Sequence, residues 1–198
     1  NRKKMLSLEE SLKILKETRA LIEGHFILSS GLHSSKYVQC AQLMSKPHMA
    51  YKICESLAKK IKKEIKEFDI ILSPAMGGII IGYEIGKLLQ KETIFSERVN
   101  GKFNLRRGFK IPKDAKVLIV EDVITTGKSS LECSELIKNA NADLVGFACL
   151  IDRSNTMSKL KEKIVSQVQI NIPTYKESEL PDNLKLIPAT NPGSRNLK

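Results

Sequence analysis

Apolar positions in the first third of the chain follow two helical patterns and two strand patterns. A capping box that begins at Ser7 opens an amphipathic pattern over 8–22, which predicts the first helix. Short strands are predicted at 25–28 and 36–40, on either side of a polar turn. A longer helix is predicted over 47–65, with proline at its first position and its lysines facing water.

From residue 69 onward, apolar strands alternate with helices of ordinary length. The predicted strands are 70–72, 93–95, 117–120, 144–151 and an edge-like strand through 168–172, and the predicted helices are 79–89 and 129–139. This alternation is typical of an α/β fold with a mostly parallel sheet and helices packed on it. Ligands bind at the carboxyl ends of the strands in such folds, so functional residues are expected at those positions.

The segment 97–108 interrupts this regular pattern. It is polar, has no periodicity and contains four cations, Arg98, Lys102, Arg106 and Arg107. Long polar connections in compact domains are usually functional. We therefore predict a long mobile loop here, with a hairpin as the alternative.

Composition narrows the choice of partner without fixing it. The 198 residues, 41% of them apolar, predict one domain over 1–198. The net charge of +11 favours an anionic partner, which could be nucleic acid, a membrane surface or a phosphorylated metabolite. The four cysteines are widely separated, without metal-ligand spacing, and we expect a cytoplasmic protein with reduced thiols. No apolar run approaches the roughly 20 residues that cross a bilayer.

The segment 117–130 is the most informative part of the chain. A buried strand leads into the adjacent carboxylates Glu121 and Asp122, and then into the hydroxyl-rich turn 125–129 that opens a helix. Backbone N–H groups at a helix N-terminus form a ready anion site, suited here to one phosphate. A Walker A loop is the alternative, but that motif needs glycine where this chain has Asp122.

The two carboxylates repel a bound phosphate and must therefore interact with another part of the ligand. Adjacent carboxylates can accept hydrogen bonds from the two hydroxyls of a ribose. Their charge also stabilises a transition state in which the sugar ring becomes cationic. A phosphate, a diol and a developing positive charge together indicate a phosphoribosyl donor as the substrate.

The segment 117–130 resembles the signature of type I phosphoribosyltransferases, which bind 5-phosphoribosyl 1-pyrophosphate (PRPP). Three further blocks are similar to the orotate phosphoribosyltransferases in particular: Phe26–Gly31 with Ser34 and Tyr37, Phe95–Arg98 with Leu105–Phe109, and Ile187–Arg195. The resemblance implies the type I phosphoribosyltransferase fold, a mostly parallel sheet flanked by helices with a small hood from the N-terminal segment and C-terminal tail. It also implies transfer of phosphoribose from PRPP to orotate, in a homodimer with shared active sites.

The resemblance also implies roles for particular residues. Glu121, Asp122 and Arg98 would be catalytic. The PRPP-binding residues would be Met76, Gly77, Arg98, Lys102, Glu121, Asp122, Val123, Ile124, Thr125, Thr126, Gly127, Lys128 and Ser129. The orotate-binding residues would be Phe26, Thr125 and Arg153. Mg²⁺ would be the cofactor, held mainly through PRPP and not by a protein metal site.

Two alternatives remain open at this stage. A purine phosphoribosyltransferase would share the PRPP motif, although Arg153 and the block 26–37 argue against it. A PRPP-sensing regulator could bind RNA, but the lysines lack the interleaved aromatic residues that stack on bases. We expect neither nucleic acid nor a membrane as partner. The three histidines are scattered along the chain, and no catalytic triad is predicted.

Overall fold

The computed structural model describes residues 5–155 and 157–192, which form two sheets and the helices packed on them. The helices are α1 (Leu8–Glu17), α2 (Cys40–Met44), α3 (Pro47–Glu64), α4 (Gly78–Leu89), α5 (Lys128–Asn139) and α6 (Asp182–Lys185), with a 3-10 turn at Glu177–Glu179. The strands are β1 (Leu21–Ile27), β2 (His33–Val38), β3 (Ile70–Pro74), β4 (Glu92–Val99), β5 (Lys102–Leu105), β6 (Lys116–Ile124), β7 (Asp143–Asp152), β8 (Ile164–Gln169) and β9 (Thr174–Tyr175).

The main sheet has the strand order β5-β4-β3-β6-β7-β8 and is parallel except for β5. Alternate residues of β6 enter two different cores. Leu118 and Val120 pack in the core that contains α1, α3 and α4, whereas Val117 and Ile119 pack in the core that contains α5. A strand buried on both faces must be apolar at every position, which is why its sequence shows a continuous run. The predicted mostly parallel, helix-flanked sheet is confirmed.

A smaller antiparallel sheet, β1-β2-β9, forms the hood together with the C-terminal segment 187–190. The Ile27 amide donates to the Thr190 carbonyl at 2.8 Å, and the Thr190 amide donates to the His25 carbonyl at 2.9 Å. The predicted hood from the two ends of the chain is therefore present. The end of the block Ile187–Arg195, from residue 193 onward, lies outside the described residues.

The opening helix is shorter than its apolar pattern predicted. It ends at Glu17, and Ile22 belongs to β1 instead of the helix. The Thr18 hydroxyl donates to the Ile14 carbonyl at 2.8 Å, and Arg19 has a φ of 63°. A left-handed residue cannot continue an α-helix, so the chain turns there into the hood.

The segment 97–108 is a β-hairpin and not the long mobile loop that we predicted. β4 extends to Val99 and pairs with β5 across a turn at Asn100 and Gly101, whose φ angles are 50° and 78°. Positive φ at both central residues is the type I′ geometry that Asn-Gly favours. This dipeptide was the signal in the sequence that decides for the alternative.

Two strand boundaries also differ from the predictions. β6 continues to Ile124. Glu121 and Asp122 therefore lie within the C-terminal part of the strand and not after its end. The last strand of the main sheet is Ile164–Gln169, and only its Val168 belongs to the alternation predicted over 168–172. Parallel pairing with β7 ends at Gln169, where the chain leaves the sheet toward β9.

Candidate active site

Three connections meet at the carboxyl edge of the main sheet, because β3, β6 and β7 are parallel neighbours. They are 75–77 after β3, 125–127 after β6, and the connection that begins at Arg153 after β7. The structure thus brings together the predicted pyrophosphate loop, the predicted PRPP motif and the predicted orotate-binding arginine. This edge is the candidate active site.

Glu121 and Asp122 form a largely buried acidic pair at this edge. Only 8% of Glu121 is exposed, and burial, followed by the charge of Asp122, raises its pKa to about 8. Burial also raises the pKa of Asp122, whereas the Val123 amide, which donates to Asp122 Oδ1 at 2.8 Å, lowers it. A cation placed beside this pair would favour its ionised form.

Gly77 lies directly against Asp122. A Cβ added at Gly77 would stand 2.6 Å from Asp122 Oδ2, a separation that real Cβ atoms do not show. Glycine is therefore required by space and not by its φ, which is −60°. The adjoining Met76 is 86% exposed and follows a cis peptide bond from Ala75. The loop after β3 consequently places bare backbone beside the acidic pair.

The phosphate loop, residues 125–129, leads from β6 into α5. Gly127 has a φ of 82°, and the Lys128 amide donates to the Thr126 hydroxyl at 3.3 Å. The first N–H groups of a helix have no partner within the helix and are directed to its N-terminal side. With the hydroxyls of the loop, they can bind one phosphate.

A segment that the sequence did not single out packs against this loop. A Cβ at Gly127 would be 2.8 Å from Leu160 Cγ, and the Lys159 amide donates to the Thr126 carbonyl at 3.1 Å. The connection between β7 and β8 thus supports the phosphate loop from outside. It has no motif, and only the tertiary structure shows its role.

Arg153 supplies a positive charge at the same edge. Its amide donates to the Ile124 carbonyl at 2.8 Å, which fixes its backbone beside β6. Its side chain is half-buried, and burial lowers the pKa of the guanidinium. No carboxylate of residues 5–155 and 157–192 lies within ion-pair distance of it. A half-buried guanidinium without a carboxylate partner is suited to bind an anion.

Arg98 is held on the hairpin by three contacts. Its Nη1 lies 2.7 Å from Glu132 Oε2 on α5 and donates to the Gly101 carbonyl at 2.8 Å. Its guanidinium also lies 4.1 Å from the centre of the Phe103 ring. The sequence placed Arg98 among free loop cations, but the structure pairs it with a helix that begins at the phosphate loop.

The other cations of the hairpin divide into two kinds. Arg107 binds Glu97 through two hydrogen bonds of 2.9 and 3.0 Å. Lys102 and Arg106 are exposed and have no carboxylate partner in the described part of the chain. Lys102, predicted to bind PRPP, is therefore available for an anion without losing an internal ion pair.

The hood contains Phe26 and two of the three histidines, His25 and His33. Phe26 is 6% exposed, and its ring centre lies 5.9 Å from that of Tyr37. His25 and His33, which we described as scattered, lie in hydrogen-bond contact, with Nε2 of the first 2.6 Å from Nδ1 of the second. The seven residues between them belong to a hairpin, and the strand pairing that closes it was not visible as a spacing motif.

The residues described contain neither a metal-binding cluster nor a membrane-spanning element. No group of three or more histidine, cysteine, aspartate or glutamate side chains in 5–155 and 157–192 is arranged to hold a metal ion. No helix in the same ranges has the length and apolar character needed to cross a membrane.

Comparison with known proteins shows the family to which this chain belongs. The sequence profile of the phosphoribosyl transferase domain matches residues 42–179. The chain is 47% identical over 188 residues to an orotate phosphoribosyltransferase of Erythrobacter litoralis, covering 94% of this chain and 97% of the relative. It is 45% identical over 190 residues to that of Parvibaculum lavamentivorans, covering 96% and 98%. The chain has a phosphoribosyl transferase domain and belongs to the orotate phosphoribosyltransferase family.

Solved structures agree with this fold at lower identity. The orotate phosphoribosyltransferase of Aeropyrum pernix superposes with a TM-score of 0.68 at 23% identity, covering 80% of this chain and 92% of that chain. An adenine phosphoribosyltransferase of Thermoanaerobacter pseudethanolicus gives 0.60 at 16% identity, covering 68% and 88%. Because enzymes with different bases share the fold, the fold alone does not identify the substrate.

Proposed function

We propose that the protein transfers the 5-phosphoribosyl group of PRPP to N1 of orotate in pyrimidine biosynthesis. The bond between C1′ and the pyrophosphate oxygen breaks with its electron pair going to pyrophosphate, and N1 of orotate forms the new bond and loses its proton. The products are orotidine 5′-monophosphate and pyrophosphate. The observation that carries this proposal is the largely buried pair Glu121 and Asp122, which precedes the phosphate loop in β6 and of which Asp122 lies against Gly77.

The acidic pair is suited to the ribose and to the charge that it develops. With the 5′-phosphate at 125–129, the ribose hydroxyls would lie beside Glu121 and Asp122 and donate hydrogen bonds to them. As the bond to pyrophosphate breaks, the ring becomes cationic and lowers the raised pKa values of both carboxyls. Their negative charge would stabilise the transition state more than the ground state.

Orotate would be bound by its carboxylate and its planar ring. Arg153 lies at the edge beside Ile124 without a carboxylate partner among the described residues, and its guanidinium can pair with a carboxylate through two hydrogen bonds. Thr125, next along the chain, has a hydroxyl that could bind the ring. Phe26 would contribute an apolar contact from the hood.

Mg²⁺ belongs to the proposal as a cofactor held mainly by substrate. The donor set present is two adjacent carboxylates without a third, and this fits Mg²⁺, which usually binds one or two carboxylates together with substrate phosphates. Glu121 and Asp122 would be its nearest protein oxygens. When bound, the ion would neutralise charge on the departing pyrophosphate. Lys102 and Arg106 would add positive charge from the hairpin.

We also propose a cytoplasmic homodimer with active sites shared between subunits. Four large apolar side chains on or beside α3 and α4 are exposed, at 39% for Tyr51, 86% for Met76, 56% for Ile80 and 67% for Tyr83. Such a patch supports an interface between subunits. It adjoins the loop after β3, so a partner there would approach the site. The four buried cysteines are all free, which supports a reducing compartment.

The proposed reaction is tested by the loss of orotate absorbance in the presence of PRPP and Mg²⁺. Adenine, hypoxanthine and uracil serve as alternative substrates. We expect turnover with orotate far above that with the other bases. Faster turnover with a purine would assign the chain to purine salvage. No turnover with any base, together with tight and steeply salt-dependent RNA binding, would favour a regulator.

Shared sites are tested by mixing two variants of reduced activity. Arg98→Ala and Asp122→Asn homodimers, allowed to exchange subunits, should regain part of the wild-type rate if the hairpin acts on the partner's site. Subunit exchange is followed separately with labelled chains. Verified exchange without recovery of activity would place each hairpin on its own site.

A further inference from the structure

A chain of hydrogen bonds through two buried histidines joins the hood to the C-terminal segment. His25 Nδ1 lies 2.7 Å from the Ile187 carbonyl oxygen, and His25 Nε2 lies 2.6 Å from His33 Nδ1. The two side chains are only 5% and 6% exposed, and their ring centres are 4.9 Å apart. Buried polar groups in such contact are costly to separate.

The direction of each hydrogen bond follows from the first acceptor. A carbonyl oxygen only accepts, so His25 Nδ1 must carry a hydrogen and donate it to Ile187. In neutral His25 the other ring nitrogen is then an acceptor, and His33 Nδ1 donates to it. His33 therefore orients His25, and His25 holds Ile187. Loss of His33 would therefore weaken the bond from His25 to Ile187 as well.

A β-bulge gives His25 its position. The register of β1 and β2 passes from Glu23 opposite Lys36 to Phe26 opposite Ser34, so that two residues face the single Ser35. Adjacent strand residues normally point to opposite faces, and a bulge re-aims one of them. His25 and its neighbour Phe26 are in consequence both buried. The histidine chain and the predicted orotate contact thus share one irregular stretch of backbone.

Few other side-chain contacts hold this part of the C-terminal segment. Leu184 is buried, but Leu186 and Ile187 are 85% and 43% exposed. Beyond them, the backbone of Thr190 bonds to His25 and Ile27 on β1. Leu184 and Thr190 thus attach the two ends of this stretch. Between them, the hydrogen bond from His25 to Ile187 is the only one that a buried side chain makes among the described residues.

We propose that His25 and His33 are positioning residues that hold the C-terminal segment against β1 and so fix Phe26 for orotate. This inference rests on the proposed function. Neither histidine need touch a reacting atom. The pair acts through the backbone around Phe26 and Thr190, which form a bridge between the two strands of chain. The effect should therefore fall on orotate and not on PRPP, whose predicted contacts lie on the main sheet.

The test compares replacements that keep or remove single nitrogen atoms. Asparagine can place an N–H close to the position of histidine Nδ1, whereas leucine cannot. His33→Leu should raise the KM for orotate about fivefold to tenfold, the usual effect of losing one buried hydrogen bond, and leave the KM for PRPP unchanged. His33→Asn should stay within about twofold of wild type. His25→Asn, which keeps only the bond to Ile187, should resemble His33→Leu.

Hydrogen exchange of the full-length protein supplies a readout besides activity. Peptides that cover 187–192 should exchange faster in His33→Leu than in wild type and at the wild-type rate in His33→Asn. His48→Leu is the matched control, because His48 is exposed on α3, away from the hood. It should change neither the exchange nor either KM. Thermal unfolding of each variant shows whether it is folded.

The outcomes separate this inference from the proposed function. Normal wild-type turnover with equal KM values for orotate in wild type and His33→Leu would overturn the inference alone. So would an equal rise in both KM values, or equal defects in His33→Asn and His33→Leu. Absence of orotate turnover in wild-type protein would contradict the proposed function, and the exchange rates of 187–192 would then still show whether the pair holds the segment.

Discussion

The carboxyl edge of the main sheet and the hood both bury polar groups, but they treat them in opposite ways. In the hood, His25 donates to the Ile187 carbonyl and shares a second hydrogen bond with His33, so the groups satisfy one another. At the edge, burial raises the pKa of Glu121 to about 8, and Arg153 has no carboxylate partner in the described ranges. Buried polar groups that hydrogen-bond to each other stabilise the fold. Buried ionisable groups that lack partners of opposite charge are typical of a ligand site.

The largest expected effect is that of Asp122→Asn at the edge. If the carboxylate stabilises a cationic ribose, kcat should fall about 10²-fold to 10³-fold, the range seen when one electrostatic group of this kind is removed. The affinity for PRPP should change far less. Single-turnover rates and equilibrium titration with PRPP distinguish the two effects.

Asp143→Asn is the control for that change, because Asp143 is exposed at the opposite end of β7. It should behave as wild type. Weakened PRPP binding in Asp122→Asn with an unchanged single-turnover rate would show that the edge binds ligand but does not act on the transition state.

Gly77→Ala should have the next largest effect. The new methyl would stand 2.6 Å from Asp122 Oδ2, so the carboxylate or the loop must move. We expect kcat to fall about tenfold to 100-fold, since small displacements of a reacting group are costly. In a double-mutant cycle the same change should cost much less in the Asp122→Asn background. Additive effects would mean that Gly77 acts independently of Asp122.

Arg98 and Glu132 give a smaller contrast within one ion pair. Arg98→Ala should lower kcat about tenfold if the arginine acts on pyrophosphate. Glu132→Gln should leave kcat at or above the wild-type value, because it releases the arginine from α5. The half-exposed pair itself should contribute less than about 1 kcal/mol to the free energy of unfolding. Urea unfolding measures the free energy of unfolding, and steady-state rates measure kcat. A loss of kcat in Glu132→Gln would mean that Arg98 acts while it is paired with Glu132.

The last contrast concerns the pH dependence of stability at Glu121. Its folded pKa of about 8 lies above its ordinary value of 4.5, so the folded protein binds the extra proton between these limits. Stability contributed by this group is complete below about pH 4.5 and is lost as the pH rises through 8. The melting temperature of wild type should therefore fall relative to Glu121→Gln between pH 5 and 8, by roughly 7–14 °C, because the difference in pKa corresponds to about 3 to 4 kcal/mol over this range.

Scanning calorimetry at several pH values, without substrate, checks this difference. If melting temperature varied with pH in the same way in wild type and Glu121→Gln, the Glu121 carboxyl would be ionised throughout this range and its pKa would not be raised in the folded protein.

The alternation of strands and helices that builds the main sheet was predictable from the sequence, because burial on both faces makes its central strands β3, β6 and β7 largely apolar runs. The candidate residues from Glu121 to Ser129 were predictable for a different reason, since one short segment supplies both carboxylates and the phosphate loop. The resemblance to a known family placed Arg153, Met76 and Gly77 at the same edge, and the strand order confirms that placement.

Features that depend on distant contacts were missed. The contact of His25 with His33 needs a hairpin and a bulge, and the packing of Leu160 on Gly127 needs the fold of the β7–β8 connection. The helix end at Glu17 depends on Thr18 and Arg19, which carry no strong stop signal. The Asn100-Gly101 turn, by contrast, was visible, but the surrounding charge favoured the wrong interpretation.

That turn has a consequence for how molecules of this protein meet one another. β5 is a four-residue antiparallel strand that ends one side of an otherwise parallel sheet, and its Lys102 and Asn104 are exposed. A short edge strand with a lysine offers a poor template for a strand of another molecule. The hairpin therefore shields part of the longer β4 from direct edge-to-edge pairing. The segment that carries cations toward the site also limits aggregation of the folded enzyme.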